Sequence, residues 1–511
     1  MTALARRLTL DTVWVGAALA FIALRALLTP APPHDLWWHI ATGRLIVAEG
    51  AVPMVDGFSF TRAGEPFYNQ SWLAQLLMYG LFRLGGLELL IFAQALLLVG
   101  AYGLLLWFCM TRSGAPRLSA AIVMGLTMPA SFDNWTIRPQ TYALLLFIVY
   151  LIVLSEWREG RRDRLWLLPA LAVVWVNLHG SFVLGGALVA LAFVGEALSR
   201  MVADRREAAA WADRPIGAPE DVLNRPERPR RPPLRDLLLT GVLVGAAWLL
   251  NPGGVQVIGY VRNLIGSSPV TQIVTEWAPM TIRDPNGAIF FLFVTIGVAI
   301  LAYARRAPNL TEMLWLGAFF WLALSAVRNN IWFTAAATPL LVVQARSLLP
   351  EQRQPSFQGA PALNGALLGV FGLCLVLCLP WIKPALGLPP ELGALTTADT
   401  PIAAVEALQQ DAERPERLFH AVPYGSYLIW AAPEQPVWID PRIELYPLEQ
   451  WRHYQMLSAG EQVAPLIAQY GIDGLLLNSV SQAGLIAYVH EHPDEWLIRY
   501  EDADTLYAVK R

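Results

Sequence analysis

Long apolar stretches recur along the first two-thirds of the chain, separated by short polar breaks. The first runs over 12–29. Others follow over 87–110, 118–132, 141–156, 165–177, 182–198, 237–250, 288–304, 313–327, 332–348 and 363–381. A bilayer core takes about 20 apolar residues of helix, so the pattern predicts a polytopic α-helical membrane protein with about eleven transmembrane helices. Arg6 and Arg7 precede the first stretch, which is long for the apolar core of a signal peptide and is followed by more of its kind. It reads as an uncleaved first helix with the N-terminus in the cytoplasm and Arg25 near its outer end.

Arginine placement agrees with that orientation. The breaks expected inside hold Arg112 and Arg117, then Arg158, Arg161, Arg162 and Arg164, then the series from Arg200 to Arg235, then Arg305 and Arg306, and last Arg346 and Arg353. The alternate breaks are poorer in arginine, although the long first one carries Arg44, Arg62 and Arg83. Residues 203–233 are rich in Arg, Pro, Ala and acids without an apolar period, which is the composition of a cytoplasmic linker.

After 383 the pattern changes. Short runs over 418–422, 437–440, 474–477, 497–500 and 505–510 have strand character, and 401–410, 448–458, 462–470 and 482–490 have helical periodicity. Their alternation predicts an extracytoplasmic α/β domain over 384–511 with a largely parallel sheet, beside a transmembrane domain over 1–383.

The first outer segment, 30–86, is too long and too apolar for a bare connection. Residues 35–49 alternate as an amphipathic helix with Trp37 and Trp38, suited to a membrane interface. Turn residues follow at Gly50, Pro53, Asp56-Gly57 and Gly64-Glu65-Pro66, and a helical pattern resumes over 69–84.

Composition narrows the class. Of 511 residues 55% are apolar and 15% charged, against about 25% charged in soluble domains; the mean hydropathy is +0.44. A net charge of −3 and the lack of a basic stripe give no sign of a nucleic-acid partner. Cys109, Cys374 and Cys378 all lie in apolar segments and form no disulfide framework.

The uncommon polar residues gather at the predicted outer face: His34, Asp35 and His39, then Trp135, Arg138, Asn177, His179, Asn251, Glu276, Arg283, Asp284, Arg328, Asn329 and Asn330. A carboxylate there can act as a general base, and Asp35 is the candidate, although Asp in that position is also a common helix N-cap. His34 and His39 are candidates to assist it. Asp35 and His39 lie four apart on one helix face, so they are also the pair expected to hold a divalent metal, Mg or Mn, if one is used. Asp56 is a candidate second acid, or a turn residue in its Asp-Gly pair. Arg138, Arg283 and Arg328 are candidates for a departing phosphate, which a guanidinium can grip with two donors. Asn69, Trp72, Asn177 and His179 are candidate substrate contacts. Asp440-Pro441-Arg442-Ile443-Glu444 in the tail reads as a cap over the site, or as a salt-bridged turn packed on the membrane domain.

Several of these segments resemble the C-type glycosyltransferase (GT-C) superfamily, and within it the protein O-mannosyltransferases and lipid A aminoarabinose transferases. The resemblance rests on His34-Asp35 just after the first span, Gly50-Ala51-Val52-Pro53, Asp56-Gly57-Phe58-Ser59-Phe60-Thr61 and Asn69-Gln70-Ser71-Trp72-Leu73. The family places an acidic pair where this chain has His34-Asp35, so the carboxylate role falls on Asp35 alone. Trp37-Trp38-His39 departs from the Trp-Trp-Asp of oligosaccharyltransferases. The resemblance implies transfer, with inversion, of a sugar from a polyprenyl-phosphate donor to a glycan, lipid or protein acceptor at the outer face of a bacterial-type inner membrane. The competing expectations are a lipid or sugar transporter, which calls for polar residues near mid-membrane, and a noncatalytic assembly protein that recruits partners through its tail.

Overall fold

Every stretch expected to span the membrane falls on helix. The computed structural model describes residues 8–212, 232–265, 275–350 and 360–511. Among these, Leu10–Leu28, Trp72–Ser113, Pro139–Arg158, Phe182–Arg206, Pro285–Tyr303 and Val327–Leu348 contain helices long and apolar enough to cross a bilayer. Leu167–Leu178, Leu310–Ser325 and Pro361–Leu377 are shorter apolar helices beside them, and Leu234–Ala247 covers the stretch expected over 237–250. The expected linker over 203–233 begins on the Phe182–Ala212 helix, and its remainder to 231 lies outside the described residues.

Two of these segments differ from a plain span. Residues 118–132 do not form one helix. Pro116–Ile122 passes through a wide turn at Val123–Thr127 into a tight 3-10 turn at Pro129–Asn134. Pro129 has no N–H to continue the helical ladder, and the Thr127 hydroxyl pairs with Thr338 on the neighbouring Asn330–Leu348 helix at 2.7 Å. The second helix of the outer loop starts at Trp72 and runs into the next span, with a break at Gly85 and Gly86. Gly86 has φ +66° and ψ −162°, a conformation open in practice to glycine alone. The break lets one segment serve both as interfacial helix and as span.

The arginine-rich end of the bundle is tied by ion pairs. Arg112 meets Glu312 at 2.6 Å and Glu159 at 3.0 Å, and Arg158 meets Glu312 at 3.4 Å. These pairs join three helices where their apolar lengths end.

The C-terminal part carries four strands: β1 Leu418–His420, β2 Gly474–Asn478, β3 Trp496–Glu501 and β4 Thr505–Lys510. Their order is β1-β2-β4-β3. Only β1 and β2 are parallel; β2–β4 and β3–β4 are antiparallel. The expectation of a largely parallel sheet is therefore corrected. The short Asp502–Asp504 turn forces β3 and β4 into a hairpin, and a parallel pair would need a long crossover. The strand expected over 437–440 is also absent: Val437 makes single bridges to Leu418 and to Ser59 of the outer loop. A helix not expected from the sequence, Val422–Ala431, follows β1.

One face of the sheet packs Phe419, Leu475 and Leu477 against Trp438, Trp451 and Trp496. The other packs Leu418, Leu476 and Tyr507 against Tyr424 and Leu428, and its core also includes Trp38, Ala41 and Phe67 of the outer loop. The loop thus contributes to the core of the C-terminal part. The Asp35–Glu49 helix lies on Val422–Ala431. The Trp38 N–H donates to Ser426 Oγ at 3.0 Å, and Trp37 meets Tyr427 edge to face. Arg44 stacks over Trp430 and donates to the Ile429 and Trp430 carbonyls at that helix's end. On its other side, Asp35–Glu49 packs so closely on Trp72–Ser113 that a Cβ at Gly43 would run into the Gln75 carbonyl.

A buried ion network joins loop and sheet. Arg442 lies between Asp56 at 2.5 Å and Asp440 at 2.6 Å, with side-chain exposures of 2% for Arg442 and 0% for both acids. Asp440 also accepts from the Tyr446 hydroxyl at 2.6 Å. Asp56 accepts from the Phe58 and Ser59 N–H groups and the Ser59 hydroxyl. Burial alone would raise the Asp440 carboxyl, but Arg442 and Tyr446 outweigh it and hold it below its ordinary value.

Arg442→Met, which leaves both acids buried and unpaired, is expected to cost about 3–5 kcal/mol. It should lower the unfolding midpoint of the detergent-solubilised protein and open the C-terminal part to limited proteolysis. Because the folded Asp440 value is depressed, its contribution is present above the ordinary carboxylate range and is lost as pH falls through the depressed value. Acid titration of stability should therefore be steeper in the wild type than in Asp440→Asn.

Candidate active site

Asp35 opens the outer-loop helix, one residue past its N-cap. The N-cap itself is His34, which is exposed and makes no side-chain capping bond. The capping role considered for Asp35 is therefore not what holds it. Its Oδ2 lies 3.1 Å from Nε of Arg138. Arg138 immediately precedes Pro139 and is extended, φ −147° and ψ 157°, as residues before proline generally are. Its guanidinium leaves the helix start toward Asp35. The opposite edge of the same guanidinium holds Glu276 through two hydrogen bonds, one at 3.0 Å. The three charges come from three separate segments. Arg138 is 12% exposed, Asp35 24% and Glu276 38%, so both carboxylates keep contact with water while the arginine is largely enclosed.

Arg328 is held nearby. Its carbonyl accepts from the Gln140 side chain at 3.1 Å, two residues on from Arg138, and its guanidinium lies 4.6 Å over the Trp277 ring, next to Glu276. Among the described residues no carboxylate lies within ion-pair distance of it.

His39 is buried. Asn69 donates to Gln75 Oε1 at 2.8 Å, which turns the Gln75 amide nitrogen toward His39 Nδ1 at 3.2 Å. Burial first, and the Arg138 charge second, push His39 down to about 3, so it is neutral at physiological pH. His179 accepts from the Ser181 N–H at 3.1 Å and is held well below its ordinary value by burial and the charge of Arg328.

Trp72 Nε1 donates to Asn177 Oδ1 at 2.6 Å, and the Asn177 amide donates to the Val173 and Leu250 carbonyls. These bonds use the polar capacity of both side chains to brace the outer loop against two bundle helices. The Tyr68 hydroxyl donates to Asn251 Oδ1 at 2.8 Å. Asp56 is taken up by Arg442, away from Asp35. Arg283 lies on an exposed turn, and none of its contacts ties it to the other candidates. Among the described residues no group of three or more His, Cys, Asp or Glu is placed to hold a metal ion; Asp35 faces Arg138, and His39 faces Gln75.

The structure therefore assembles Asp35, Arg138, Arg328, His39 and His179 at one end of the bundle and adds Glu276, Gln75, Tyr68 and Tyr260. Glu276 stood out in the sequence as an acid in a predicted outer break. Tyr260 and Gln75 carry no such signal, since each sits in an otherwise ordinary helical pattern.

No protein-family model matches the sequence, and no curated protein matches it. Solved structures do. The chain superposes on the archaeal oligosaccharyltransferase AglB from Archaeoglobus fulgidus in complex with an inhibitory peptide and a dolichol-phosphate, with TM-score 0.51 and 11% identity over 98% of this chain and 74% of that one. The apo form of the Archaeoglobus fulgidus oligosaccharyltransferase gives TM-score 0.55 and 12% identity over the same shares. ArnT from Cupriavidus metallidurans bound to undecaprenyl phosphate gives TM-score 0.45 and 13% identity over 97% of each chain. Likeness along nearly the whole chain at so little identity is likeness of fold, and it agrees with the motifs of the outer loop: this is a multi-pass membrane protein of the GT-C fold.

Proposed function

We propose that the chain is a glycosyltransferase that moves a sugar from a polyprenyl-phosphate donor to a hydroxyl of a glycan, lipid or protein acceptor at the outer face of a bacterial-type inner membrane. The observation that carries this reading is the Asp35–Arg138–Glu276 constellation. It puts two water-accessible carboxylates on one enclosed arginine at the end of an apolar bundle, beside the unneutralised charge of Arg328. A lipid donor fits such a place, because its chain can stay among apolar helices while its phosphate and sugar reach the polar end. One of the similar oligosaccharyltransferases was solved with a dolichol-phosphate, which is a donor phosphate of this class.

The residues divide the work as follows. Asp35 takes the proton of the acceptor hydroxyl as its oxygen forms the new bond to the anomeric carbon. The bond from that carbon to the phosphate oxygen breaks, and the polyprenyl phosphate leaves with the electron pair. Arg328, which has no carboxylate within ion-pair distance among the described residues, receives the growing negative charge. Arg138 orients Asp35 and is already balanced by two acids, so it acts on the phosphate less than Arg328 does. His39 and His179 contribute hydrogen bonds. A transporter would want its polar groups near mid-membrane; here they gather at one end.

The test is turnover of undecaprenyl-phosphate sugars by the full chain in lipid nanodiscs, with membrane glycan and lipid extract as acceptor, followed by mass spectrometry. Asp35→Asn leaves the Arg138–Glu276 pair intact and is expected to lower kcat by about 10²–10⁴, the usual weight of a general base. Wild-type turnover in that variant would remove Asp35 from the chemistry. Arg328→Gln is expected to lower kcat/KM for the donor by roughly 10–100-fold, the loss of one charge-assisted phosphate contact. A wild type that consumes no donor but moves labelled lipid between leaflets would replace the transferase reading with transport.

A further inference from the structure

His179 closes the Leu167–Leu178 helix, and Gly180 and Ser181 lead straight into Phe182–Ala212. Its ring is held at one nitrogen by groups whose roles are fixed. The Ser181 N–H, which can only donate, reaches Nδ1 at 3.1 Å. The Ser181 hydroxyl stands 2.8 Å from the same nitrogen. The oxygen of that hydroxyl already accepts from the Trp175 indole N–H at 3.1 Å, and an indole can only donate. Its proton is therefore free to turn to Nδ1. Nδ1 accepts twice and carries no proton, so in the neutral ring the proton sits on Nε2. A second proton, on Nδ1, would set hydrogen against hydrogen in both bonds. The charged and titratable groups that act on the ring are Arg328, His39 and Arg138, none of them an acid.

The Nε2–H makes no hydrogen bond among the described residues, and the ring is half-buried. A second unspent group lies one residue away. A Cβ on Gly180 would strike the Tyr260 hydroxyl, so that hydroxyl rests on the bare backbone next to His179. It too makes no hydrogen bond among the described residues. The Tyr260 ring stands 6.3 Å from Phe182 and 5.2 Å from Tyr68. Hydrogen bonds tie this corner to the helix of Asp35. Asn177, two residues before His179, accepts from Trp72 Nε1 at 2.6 Å. Gln75, three residues on from Trp72 and so on the same helix face, meets His39 Nδ1 at 3.2 Å. His39 in turn lies four residues on from Asp35.

We propose that Ser181 fixes His179 in the Nε2–H form, and that this N–H and the Tyr260 hydroxyl together hold hydroxyls of a saccharide. This rests on the transferase reading above. Ser181 acts through the histidine and is a positioning residue. One sugar hydroxyl accepts from the imidazole N–H and a neighbouring one pairs with the tyrosine hydroxyl, while a C–H face of the sugar lies on an aromatic ring. A neutral donor among aromatic rings suits an uncharged, hydroxyl-rich group; a phosphate calls for a cation. Such a saccharide belongs either to the lipid-linked donor or to the acceptor.

The full chain, isotope-labelled at the histidine nitrogens, is studied in nanodiscs by solid-state NMR, with His179→Phe identifying the His179 signals. They are expected to show Nε2 protonated and Nδ1 bare, unchanged from about pH 8 to about pH 6, across the ordinary histidine range. In Ser181→Ala the ring should give a mixture of tautomers or titrate in that range. Ser181→Thr, which keeps the hydroxyl, should restore the wild-type signals. In turnover, His179→Phe is expected to raise the KM of one saccharide-bearing substrate about five- to tenfold, the loss of one neutral hydrogen bond. Which KM rises tells donor sugar from acceptor sugar. Ser181→Ala should raise the same KM by a smaller factor, so a loss of folding in His179→Phe leaves a second variant to read. Undecaprenyl phosphate binding, followed by native mass spectrometry, and the shape of the pH profile of kcat/KM should match the wild type in both variants. A proton on Nδ1, loss of one limb of the pH profile, weaker undecaprenyl phosphate binding, or both KM values unchanged would overturn the proposal and leave the transferase standing. A wild type that consumes no donor would overturn the transferase reading and the saccharide contact with it; the tautomer is read without turnover, so the two failures are distinct.

Discussion

Arg442 is the charge on which the upper half of the molecule depends. A guanidinium cannot lose its proton inside a protein, so once buried it must be matched by acids and by hydrogen bonds on every edge. Asp440 supplies one acid from two residues before it and Asp56 supplies the other from almost four hundred residues earlier in the chain. Neither acid could remain buried without the arginine. The outer loop and the C-terminal part are consequently one folded unit in physical terms, although a long run of membrane helices separates them in sequence. The shared core of Trp38, Phe67, Leu418 and Tyr507 follows from the same docking.

Docking in turn sets the site. The helix that presents Asp35 is gripped on one side by Val422–Ala431, through Ser426 and Arg44, and on the other by Trp72–Ser113 across the bare backbone at Gly43. A helix held on two faces presents its first residue at a defined place. Arg138 then meets Asp35 from a span whose start is fixed by Pro139, and Glu276 closes the third side. The polar cluster is arranged so that one arginine is balanced and the other is not. Arg138 has two acids. Arg328 has an indole face and, among the described residues, no carboxylate within ion-pair distance. In a region of low dielectric such a difference decides where an anion settles.

The arginine-rich end shows a different use of the same chemistry. Arg112, Arg158, Glu159 and Glu312 satisfy one another and stay near the ends of their helices. That matched set ties the bundle together, whereas Arg328 has no acid within ion-pair distance among the described residues.

By itself the sequence determined the membrane architecture. Runs of apolar residues long enough to bury their own backbone hydrogen bonds can only be helices in lipid, and the expected runs are found on helices except 118–132, which breaks into three pieces. It also marked the outer loop, Asp35, Arg138 and Arg328, since charged residues at apolar boundaries are few and stand out. The tertiary structure decided the rest. Strand direction in the C-terminal part came from a three-residue turn and from pairing partners that no local pattern encodes, so the sheet is mixed where alternation suggested a parallel one. The Val422–Ala431 helix formed directly after the strand expected over 418–422, in a stretch given no element from the sequence, because its burial against Trp37 and Trp38 is long-range. Asp56 read as a turn residue and is also half of a buried ion network, since its partner lies far along the chain. His39 sits four residues from Asp35, yet its bond is to Gln75, because packing across Gly43 brings the second helix closer than its own helical neighbour. Local spacing specifies which faces a residue can present; only packing of distant segments specifies which partner meets it there.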